Sequence, residues 1–335
     1  MPQNEPAARQ PRPGDPGVVI GAGPAAHPVA SHVSSKTGLV LTRPATPDLA
    51  VILPAFNESG GIEDTLNRIH DVLATFPGST EVIVVDDGST DGTGAQAAAA
   101  GVRVVTHSWN RGYGAALKTG ILATTAPAVM IMDADCTYPP DAIPRLFDKL
   151  DGADMVVGSR LLTSRGVSWR RRPGKWMLNR FASYLVGRHI PDLNSGQRVM
   201  KRETVLRYMH LCPSGFSFTS TITLAMLANG HNVIYEPIEY RKRAGRSKIR
   251  ASHFASFILL VVRAIVLFNP LKVFLPVGAL AFVAGVAKLI QDIYLWNLSE
   301  TAVMAFLSAM TIWAVGLLAD MMSRLQMQPQ MRTKD

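Results

Sequence analysis

Cysteine is scarce in this chain and follows no pairing or metal-binding pattern. Only Cys136 and Cys212 occur among 335 residues. A small secreted protein held by disulfides would carry more cysteines, and a zinc site would need several thiolate or imidazole ligands at short spacing. We therefore expect a reducing compartment and no zinc centre, with Cys136 acting as a small packing residue rather than as a nucleophile.

The N-terminal segment lacks both a secretory signal and a regular hydrophobic period. No basic stretch is followed by a long apolar run, so secretion is not indicated. Residues 1 to 47 are rich in Pro, Ala and Gly, which predicts a disordered tail. The segment VVIGAGPAA at 18 to 26 matches the glycine pattern of a dinucleotide-binding turn, but Pro28 interrupts the helix that should follow. We therefore assign no nucleotide site to this segment.

Acidic residues become sparse after residue 253, where apolar residues accumulate. The hydrophobic content of 47% and the mean hydropathy of +0.15 are high for a soluble protein. The net charge of +9 includes two basic clusters, at residues 170 to 172 and 241 to 250, the second just before the apolar tail. This placement favours anionic lipid or phosphate at a membrane surface over nucleic acid; a solvated charge run and a topology signal are the alternative readings.

From Leu49 onward, short β-rich runs alternate with helix-length segments. This alternation predicts an α/β fold in which helices wrap a mostly parallel sheet. Ligands bind such sheets at the carboxyl ends of the strands. Those ends carry Asn57, Glu58, Asp86, Asp87, His107, Asp133, Asp135, Ser159 and Arg160.

The acidic pair Asp133 and Asp135 follows the apolar run AVMIM. Strand side chains alternate between faces, so carboxylates at i and i+2 are expected to point the same way. Two carboxylates at such a short distance repel each other unless a cation lies between them. Hard oxygen ligands suit Mg²⁺ or Mn²⁺, and such a cation can bridge a substrate diphosphate. Together with the pair Asp86 and Asp87 and the turn at Asp91, this pattern predicts a sugar-nucleotide site; a solvated turn is the alternative.

Three apolar segments end the chain. Residues 251 to 268 are interrupted by charged or polar side chains, which predicts a helix lying in the membrane interface. Residues 271 to 291 and 302 to 322 are each long enough to cross a hydrocarbon core of about 30 Å. Their connection holds no Lys or Arg, whereas both flanks are basic, so the positive-inside rule puts both ends in the cytoplasm. Lys288 is a mild misfit that can snorkel outward, and a buried hairpin of a soluble protein is the alternative.

These segments give a predicted domain order. It comprises a disordered tail (1–47), a catalytic domain (48–250), an interfacial amphipathic helix (251–268), a two-helix transmembrane hairpin (269–325) and a cytoplasmic tail (326–335). The predicted location is the cytoplasmic membrane, crossed more than once, with the catalytic domain on the cytoplasmic side. Nucleic acid is not expected as a partner, and a homo-oligomer is left open.

Several ordered motifs between residues 49 and 250 resemble one known family. They are LPAFNES at 53 to 59, VVDDGSTDGT at 84 to 93, NRGYGAALKTG at 110 to 120, MDADCTYPPD at 132 to 141, GSR at 158 to 160, DLNSGQRVMKR at 192 to 202 and RAGRSK at 243 to 248. In this order they resemble the family 2 glycosyltransferases with the GT-A fold, and within them the polyprenyl-phosphate glycosyltransferases of the dolichyl-phosphate mannose synthase type. The two-helix tail is similar to that of the bacterial members.

The resemblance implies a function and a set of site residues. The implied reaction is the inverting transfer of a single sugar from a UDP-hexose or GDP-mannose donor to a membrane polyprenyl phosphate, with Mg²⁺ or Mn²⁺ as cofactor. Thr137 stands where the family commonly has a Gln that helps the metal, and Trp176 stands where a Ser is expected after Arg172. The implied donor-binding residues are Pro54, Ala55, Asn57, Glu58, Asp86, Asp87 and Asp133. The implied metal ligands are Asp133 and Asp135, and the implied catalytic residues are Asp135, Arg160 and Arg198. The implied acceptor-phosphate residues are Arg172, Ser195, Arg243, Ser247 and Lys248.

Elementary chemistry is compatible with this division of roles. A lipid phosphate carries close to two negative charges at pH 7 and is itself a nucleophile, so positioning and charge compensation matter more than a strong base. Two other function classes stay open: a processive polysaccharide synthase, whose usual Gln-x-x-Arg-Trp signature is absent, and a membrane scaffold with a degenerate site. Residues Asn57 and Glu58 could alternatively cap the following helix, and His107 and Trp109 are expected to be packing residues.

Overall fold

A mixed eight-stranded sheet forms the centre of the first part of the chain. The computed structural model describes residues 18–21, 46–160, 172–215, 217–240, 268–296 and 299–327. The predicted interfacial helix, except for Phe268, and the predicted site residues Arg243, Ser247 and Lys248 lie outside these ranges. The strands are β1 (Val18–Gly21), β2 (Leu49–Ala55), β3 (Thr80–Asp86), β4 (Arg103–His107), β5 (Ala128–Ile131), β6 (Met155–Ser159), β7 (Arg198–Lys201) and β8 (Val233–Pro237).

The strand order is β1-β4-β3-β2-β5-β7-β6-β8. Four of the seven neighbouring pairs are parallel, and they include the run from β4 through β3 and β2 to β5. Strand β7 is antiparallel to both of its neighbours, β5 and β6. The prediction of an α/β fold with a sheet that is parallel at its centre is therefore confirmed, and β7 is the reversal that the sequence did not reveal.

Helices cover both faces of this sheet. They are α1 (Ile62–Leu73), α2 (Thr93–Ala99), α3 (Tyr113–Ala123), α4 (Ile143–Asp148), α5 (Arg172–Val186), α6 (Arg202–Tyr208) and α7 (Phe218–Ala228), with 3₁₀ turns at Pro140–Ala142 and Met209–Leu211. Because strand side chains alternate, Ala50 and Ile52 pack under α3, α5, α6 and α7, while Val51 and Leu53 pack under α1, α2 and α4. The sheet is thus buried on both faces, and its polar residues can reach a ligand only at the strand ends.

One segment of the predicted disordered tail is ordered. Strand β1 lies at the sheet edge, antiparallel to β4, with Val18 opposite His107 and Gly21 opposite Val104. Four residues are too few to show a hydrophobic period, and the strand gains its backbone partners only from the edge of a sheet formed by distant residues. The prediction of disorder throughout residues 1 to 47 is therefore wrong for residues 18 to 21.

The last two described helices form an antiparallel hairpin. Helix α8 (Leu271–Tyr294) and helix α9 (Glu300–Met327) have mean hydropathies of 2.2 and 2.1 over their best windows, and both are long enough to cross a membrane by length and composition. Trp313 donates its indole N–H to the Leu275 carbonyl at 3.2 Å, and Phe282 packs edge-on against Phe306 with ring centroids 5.3 Å apart. Lys288, the misfit in the charge pattern, pairs with Asp292 at 2.9 Å near the turn.

Candidate active site

Polar loops converge at the carboxyl edge of the parallel strands. The loops after β2, β3 and β5 all leave the sheet on this edge because those three strands are parallel. Strand β7 runs the opposite way and pairs Arg198 with Ile131. The residues that precede β7, Asp192 to Gln197, are therefore brought to the same edge as Asp133. The sequence motifs meet here although up to 140 positions separate them.

The loops after β2 and β3 are tied together by hydrogen bonds. The backbone N–H of Asn57 donates to Ser89 Oγ at 3.0 Å, and Asn57 Oδ1 accepts from the Thr90 N–H at 2.9 Å. Asn57 has a left-handed backbone with φ of 53°, and these two bonds hold it there. Glu58 N–H donates to Thr93 Oγ1 at 3.0 Å. Helix α1 instead begins after Gly61 without a side-chain cap, so the alternative reading of Asn57 and Glu58 as its N-cap is wrong.

Asp91 joins the same two loops. Its carboxylate accepts from the Ser59 N–H at 3.0 Å, from the Thr93 N–H at 3.1 Å and from the Thr93 hydroxyl at 2.5 Å. Partial burial acts to raise the pKa of Asp91, but the hydrogen bonds from Thr93 and Ser59 outweigh it and hold the pKa well below its ordinary value. The sequence indicated a turn at this aspartate, and the structure shows that it also fixes the loop that carries Asn57 and Glu58.

The neighbouring pair Asp86 and Asp87 divides into two roles. Asp87 is 3% exposed and accepts from His107 Nδ1 at 2.7 Å, from the Arg111 N–H at 2.9 Å and from the Gly112 N–H at 2.8 Å. Asp86 Oδ1 accepts from the Ser89 N–H at 3.0 Å. In this structure Asp87 therefore anchors the loop after β4, which leaves Asp86 as the member of the predicted donor-binding pair with fewer protein contacts.

His107, the last residue of β4, and Trp109, two residues after it, differ in burial. His107 is buried, and its Nε2 lies 2.9 Å from Thr119 Oγ1. Because an ionised carboxylate cannot donate, Nδ1 carries the proton of the hydrogen bond to Asp87. The prediction of a packing role for His107 agrees with this geometry. Trp109, by contrast, is 52% exposed, so the prediction that it is a packing residue is wrong.

The pair Asp133 and Asp135 lies beyond the strand rather than at its end. Strand β5 stops at Ile131, so the alternation of strand side chains does not set the direction of these carboxylates, and that part of the sequence argument is wrong. Asp133 Oδ1 accepts from the Tyr113 hydroxyl at 2.8 Å. Burial and the adjacent carboxylate raise the pKa of Tyr113 well above its ordinary value, so the phenol keeps its proton and remains a donor. Tyr113 is a site residue that the sequence analysis missed.

The turn that carries Asp135 is held by the two residues after it. Asp135 Oδ1 accepts from the Thr137 hydroxyl at 2.5 Å and from the Thr137 N–H at 3.2 Å. Cys136 has a left-handed backbone with φ of 57°. Its sulfur lies 3.0 Å from Thr65 Oγ1, 3.2 Å from the Gly61 carbonyl and 3.4 Å from Asp64 Oδ2, and burial raises the pKa of the thiol. Cys136 therefore bridges this turn to α1, which agrees with the packing role expected for it.

Arg160 is paired with an aspartate from a distant motif. Its guanidinium makes two hydrogen bonds to Asp192, from Nε and Nη2, each 2.9 Å long, and a third of 3.2 Å to Tyr138 Oη. Tyr138 Oη in turn accepts from the Gly196 N–H at 2.6 Å. In this structure Arg160 holds the loop before β7 in place, which differs from the predicted catalytic contact with phosphate.

Ser195, predicted to contact the acceptor phosphate, and Arg198, predicted to be catalytic, are both enclosed by protein. Each is 0% exposed. Ser195 donates to the Gly158 carbonyl at 2.5 Å. Arg198 donates to the Thr219 carbonyl at 3.0 Å, to Thr223 Oγ1 at 2.6 Å and to the carbonyl of Ser195, and burial lowers its pKa. In this geometry they position β7 and its loop and do not face a lipid phosphate, so the predicted direct contact does not fit.

The remaining predicted residues are placed as follows. Pro54 and Ala55 end strand β2 and are buried, and the Ala55 carbonyl accepts from the Asp87 N–H at 2.8 Å. Arg172 is the first residue of α5. The acceptor residues Arg243, Ser247 and Lys248 lie outside the described part of the chain.

The site contains oxygen ligands of the type that Mg²⁺ and Mn²⁺ prefer, supplied by Asp133 and Asp135. Among the described residues, no group of three or more His, Cys, Asp or Glu side chains is arranged to hold a metal. A cation bound by two carboxylates would take its other ligands from a substrate diphosphate and water, which is the usual arrangement for Mg²⁺. Close contact with Gly196 leaves Asp133 little freedom, because a Cβ there would lie 2.8 Å from Asp133 Cγ.

Comparison with known proteins supports a single family. Residues 50–208 match the family model described as Glycosyl transferase family 2, and residues 269–325 match the one described as GtrB C-terminal hairpin. The chain is 35% identical over 204 residues to the dolichyl-phosphate hexose transferase of Haloferax volcanii, covering 60% of this chain and 86% of that one. It is 33% identical over 220 residues to the polyprenol monophosphomannose synthase of Mycolicibacterium smegmatis, with coverages of 61% and 81%.

A solved structure confirms the fold. Glucosyl-3-phosphoglycerate synthase from Mycobacterium tuberculosis, crystallised with Mn²⁺, uridine diphosphate and phosphoglyceric acid, aligns with a TM-score of 0.51 at 22% identity, covering 66% of this chain and 76% of that chain. At this identity the likeness concerns the GT-A-like fold alone. The motifs, the family match and the long alignment with polyprenyl-phosphate sugar transferases agree, and the chain is therefore a family 2 glycosyltransferase of the polyprenyl-phosphate group.

Proposed function

We propose that this enzyme transfers one sugar from a nucleotide-sugar donor, a UDP-hexose or GDP-mannose, to a membrane polyprenyl phosphate on the cytoplasmic face, with inversion at the anomeric carbon and with Mg²⁺ or Mn²⁺. The observation that carries the proposal is a direct contact between the catalytic domain and the start of the hairpin. Tyr184 of α5 donates its hydroxyl to the Lys272 carbonyl of α8 at 2.8 Å. Only five residues lie between Val186, where α5 ends, and Asp192, a reach of about 20 Å at most.

Asp133 and Asp135 are the residues that would hold the cation, which would offset the charge of the departing nucleotide diphosphate. Tyr113 keeps Asp133 in one orientation through its hydroxyl, and Thr137 does the same for Asp135. These contacts hold both carboxylates in place, so little reorganisation is needed when the donor binds.

The acceptor requires orientation more than activation. Its phosphate dianion is already nucleophilic at pH 7, so a direct displacement needs no strong general base, and a single displacement inverts the anomeric carbon. The loops fixed by Asp87 and Asp91 support the donor side through Asn57, Glu58 and Asp86. Two candidate spans after one catalytic domain favour transfer of a single sugar to a lipid over polymer export.

Transfer to lipid is tested with membranes that contain the full chain, a panel of radiolabelled nucleotide sugars and added polyprenyl phosphate. We expect one donor to give an organic-extractable product that mild acid cleaves. The variants Asp133→Asn and Asp135→Asn, and an excess of EDTA, should each lower the rate at least about a thousandfold. Asp151→Asn, at an exposed aspartate outside the site, is the matched control and should leave the rate unchanged. Full activity in EDTA would refute the metal-dependent mechanism.

The orientation is tested by cysteine labelling in intact cells, in a chain whose own cysteines are replaced by serine. Asn297→Cys, in the connection between the two spans, should react with an impermeant maleimide, whereas Thr333→Cys should react only after lysis. The reverse pattern would place the catalytic domain outside the cytoplasm, where its donor is not expected.

A further inference from the structure

An open groove of about 680 Å³ lies at the C-terminal end of α5. It plays no part in the contacts that hold Asp133 and Asp135, which come from Tyr113 and Thr137. The described residues that line it share a position on the last turns of α5 or directly after it. They are Arg180, Phe181, Ser183, Tyr184, Gly187, Arg188 and His189.

The groove is built against the first turn of the first candidate span. Lys272, the second residue of α8, donates from Nζ to the Tyr184 carbonyl at 3.2 Å and to the Leu185 carbonyl at 3.1 Å. Its ammonium also lies 5.9 Å from the centre of the Tyr184 ring. The first turn of an apolar span sits in the headgroup layer of a bilayer, so the groove is at that level if α8 crosses the membrane.

The charge of the groove is one-sided. None of the described residues that line it is acidic, whereas Arg180 and Arg188 are both exposed. Among the described residues, Arg188 makes one long hydrogen bond, 3.5 Å from Nη1 to the His231 carbonyl, which leaves most of its donors for a ligand. Lys272 covers carbonyls at the C-terminal end of α5, so the negative end of that helix dipole is offset by an adjacent cation.

An apolar surface accompanies this charge. Phe181 packs against the hydrophobic core with part of its side chain still accessible, and Tyr184 is 54% exposed. An aromatic ring with a polar tip is favoured at the boundary between headgroups and hydrocarbon. A ligand that combines a phosphate anion with an apolar body would therefore meet complementary groups at both of its ends.

We propose that this groove binds the headgroup of an anionic phospholipid, with Arg180 and Arg188 on the phosphate and with Phe181 and Tyr184 against the glycerol and the first acyl carbons. Guanidinium groups bind phosphate through paired hydrogen bonds. The bound lipid is a structural ligand that fixes the junction of α5 and α8 at the bilayer surface and is distinct from the acceptor. The proposal rests on the proposed membrane hairpin, but it does not depend on which sugar is transferred.

The test measures lipid binding without sugar transfer. The full chain in neutral detergent is titrated with phosphatidylglycerol that carries a fluorophore on its acyl chain, and with phosphatidylcholine carrying the same label. We expect a preference for phosphatidylglycerol that falls roughly tenfold or more in Arg180→Gln/Arg188→Gln, because each basic residue at a membrane surface contributes about a factor of five to anionic lipid binding. Arg145→Gln/Arg207→Gln, two partly exposed arginines on α4 and α6, is the matched control and should keep the preference.

Three results would overturn the proposal. The first is an unchanged preference in the Arg180 and Arg188 variant. The second is displacement of the labelled lipid by inorganic phosphate alone, which would identify a site for free phosphate. The third is a raised KM for polyprenyl phosphate in that variant with no loss of phosphatidylglycerol binding, which would assign the groove to the acceptor. An absence of sugar transfer in the wild-type chain would refute the proposed function while leaving the lipid measurement intact.

Discussion

The carboxyl edge of the sheet and the helical hairpin are stabilised in opposite ways. At the sheet edge, Asp87, Asp192 and Arg198 are at most 3% exposed, and each is surrounded by hydrogen-bond partners. In the hairpin, large apolar side chains such as Leu280 and Leu325 are 71% and 67% exposed. The two helices meet where small residues lie under aromatic rings, as Gly278 does under Trp313.

The difference follows from the medium that each region faces. A charge withdrawn from water destabilises the fold unless a partner compensates it, so the sheet edge needs a complete network. In lipid, apolar exposure costs nothing, and association of helices depends on close fit and a few polar contacts. Substitutions at the sheet edge should therefore lower stability or activity by removing hydrogen-bond or ion-pair partners. Substitutions in the hairpin should lower stability by disturbing the close packing of the two helices.

The largest expected effect is at the buried ion pair of Arg160 and Asp192. Their side chains are only 13% and 4% exposed, so Asp192→Asn leaves a largely buried guanidinium without its counter-charge. We expect a loss of about 3–5 kcal/mol in the free energy of unfolding, measured by denaturant titration in detergent. Glu203→Gln, which breaks the exposed pair with Arg207, should cost less than about 0.5 kcal/mol.

A double variant separates charge from packing at this pair. Arg160→Met/Asp192→Leu removes both charges and should recover much of the loss, since no unpaired charge remains. If Asp192→Asn unfolds within about 1 kcal/mol of the wild type, water or another group compensates Arg160, and the claimed dependence of the edge on complete pairing is wrong.

The second effect concerns the contact between Gly196 and Asp133. A Cβ at position 196 would lie 2.8 Å from Asp133 Cγ, and the hydrogen bond from Tyr113 prevents the carboxylate from turning freely. Gly196→Ala should therefore displace Asp133 and lower the transfer rate about a hundredfold. Gly60→Ala, where a Cβ meets nothing within 4 Å, is the control. Equal rates for both variants would show that Asp133 tolerates displacement.

The third prediction tests how far the close packing of the two hairpin helices contributes to stability. A Cβ on Gly278 would overlap the Trp313 indole, which donates to the Leu275 carbonyl. We expect Gly278→Leu to separate the helices and to lower stability by about 1–3 kcal/mol, observed as a lower midpoint of thermal unfolding in detergent. Ala284→Leu introduces the same side chain at an exposed position of α8 and should be nearly neutral. Similar losses in both variants would mean that helix contact does not set the stability of the hairpin.

Local patterns in the sequence predicted most of the fold and the location of the site. The predictions that were wrong concern features that depend on contacts between distant parts of the chain. Strand ends and apolar spans are local features, so the positions of Asp86, Asp133 and the hairpin followed from them. The partner of Arg160 is 32 positions away, and no period reveals such a pairing. The burial of Arg198 depends on the reversed strand β7, whose direction is decided by the whole sheet. Backbone conformation beyond β5 was equally hidden, because the strand stops earlier than its apolar run suggests.

The smallest expected effect, and the one that separates stability from activity, is at Cys136. Its left-handed φ of 57° costs a non-glycine residue about 1–2 kcal/mol, while its sulfur contacts Gly61, Thr65 and Asp64 of the α1 segment. Cys136→Gly removes both the strain and the contacts, so the free energy of unfolding should change by less than about 1 kcal/mol. Cys136→Ala keeps the strain and loses the contacts, so it should be the less stable of the two.

The transfer rates of the Cys136 variants should rank differently from their stabilities, because the turn at Cys136 positions Asp135. With glycine at position 136 the turn gains conformational freedom that the thiol contacts no longer oppose, and we expect the transfer rate to fall about fivefold to tenfold although stability is kept. Cys136→Ser retains a donor for the Gly61 carbonyl and should stay within about twofold of the wild type. If Cys136→Ala and Cys136→Ser have the same rate, the sulfur acts only through its volume. Hydrogen bonding to α1 would then have no part in placing Asp135. At the sheet edge, only the charged pairs would then depend on specific partners.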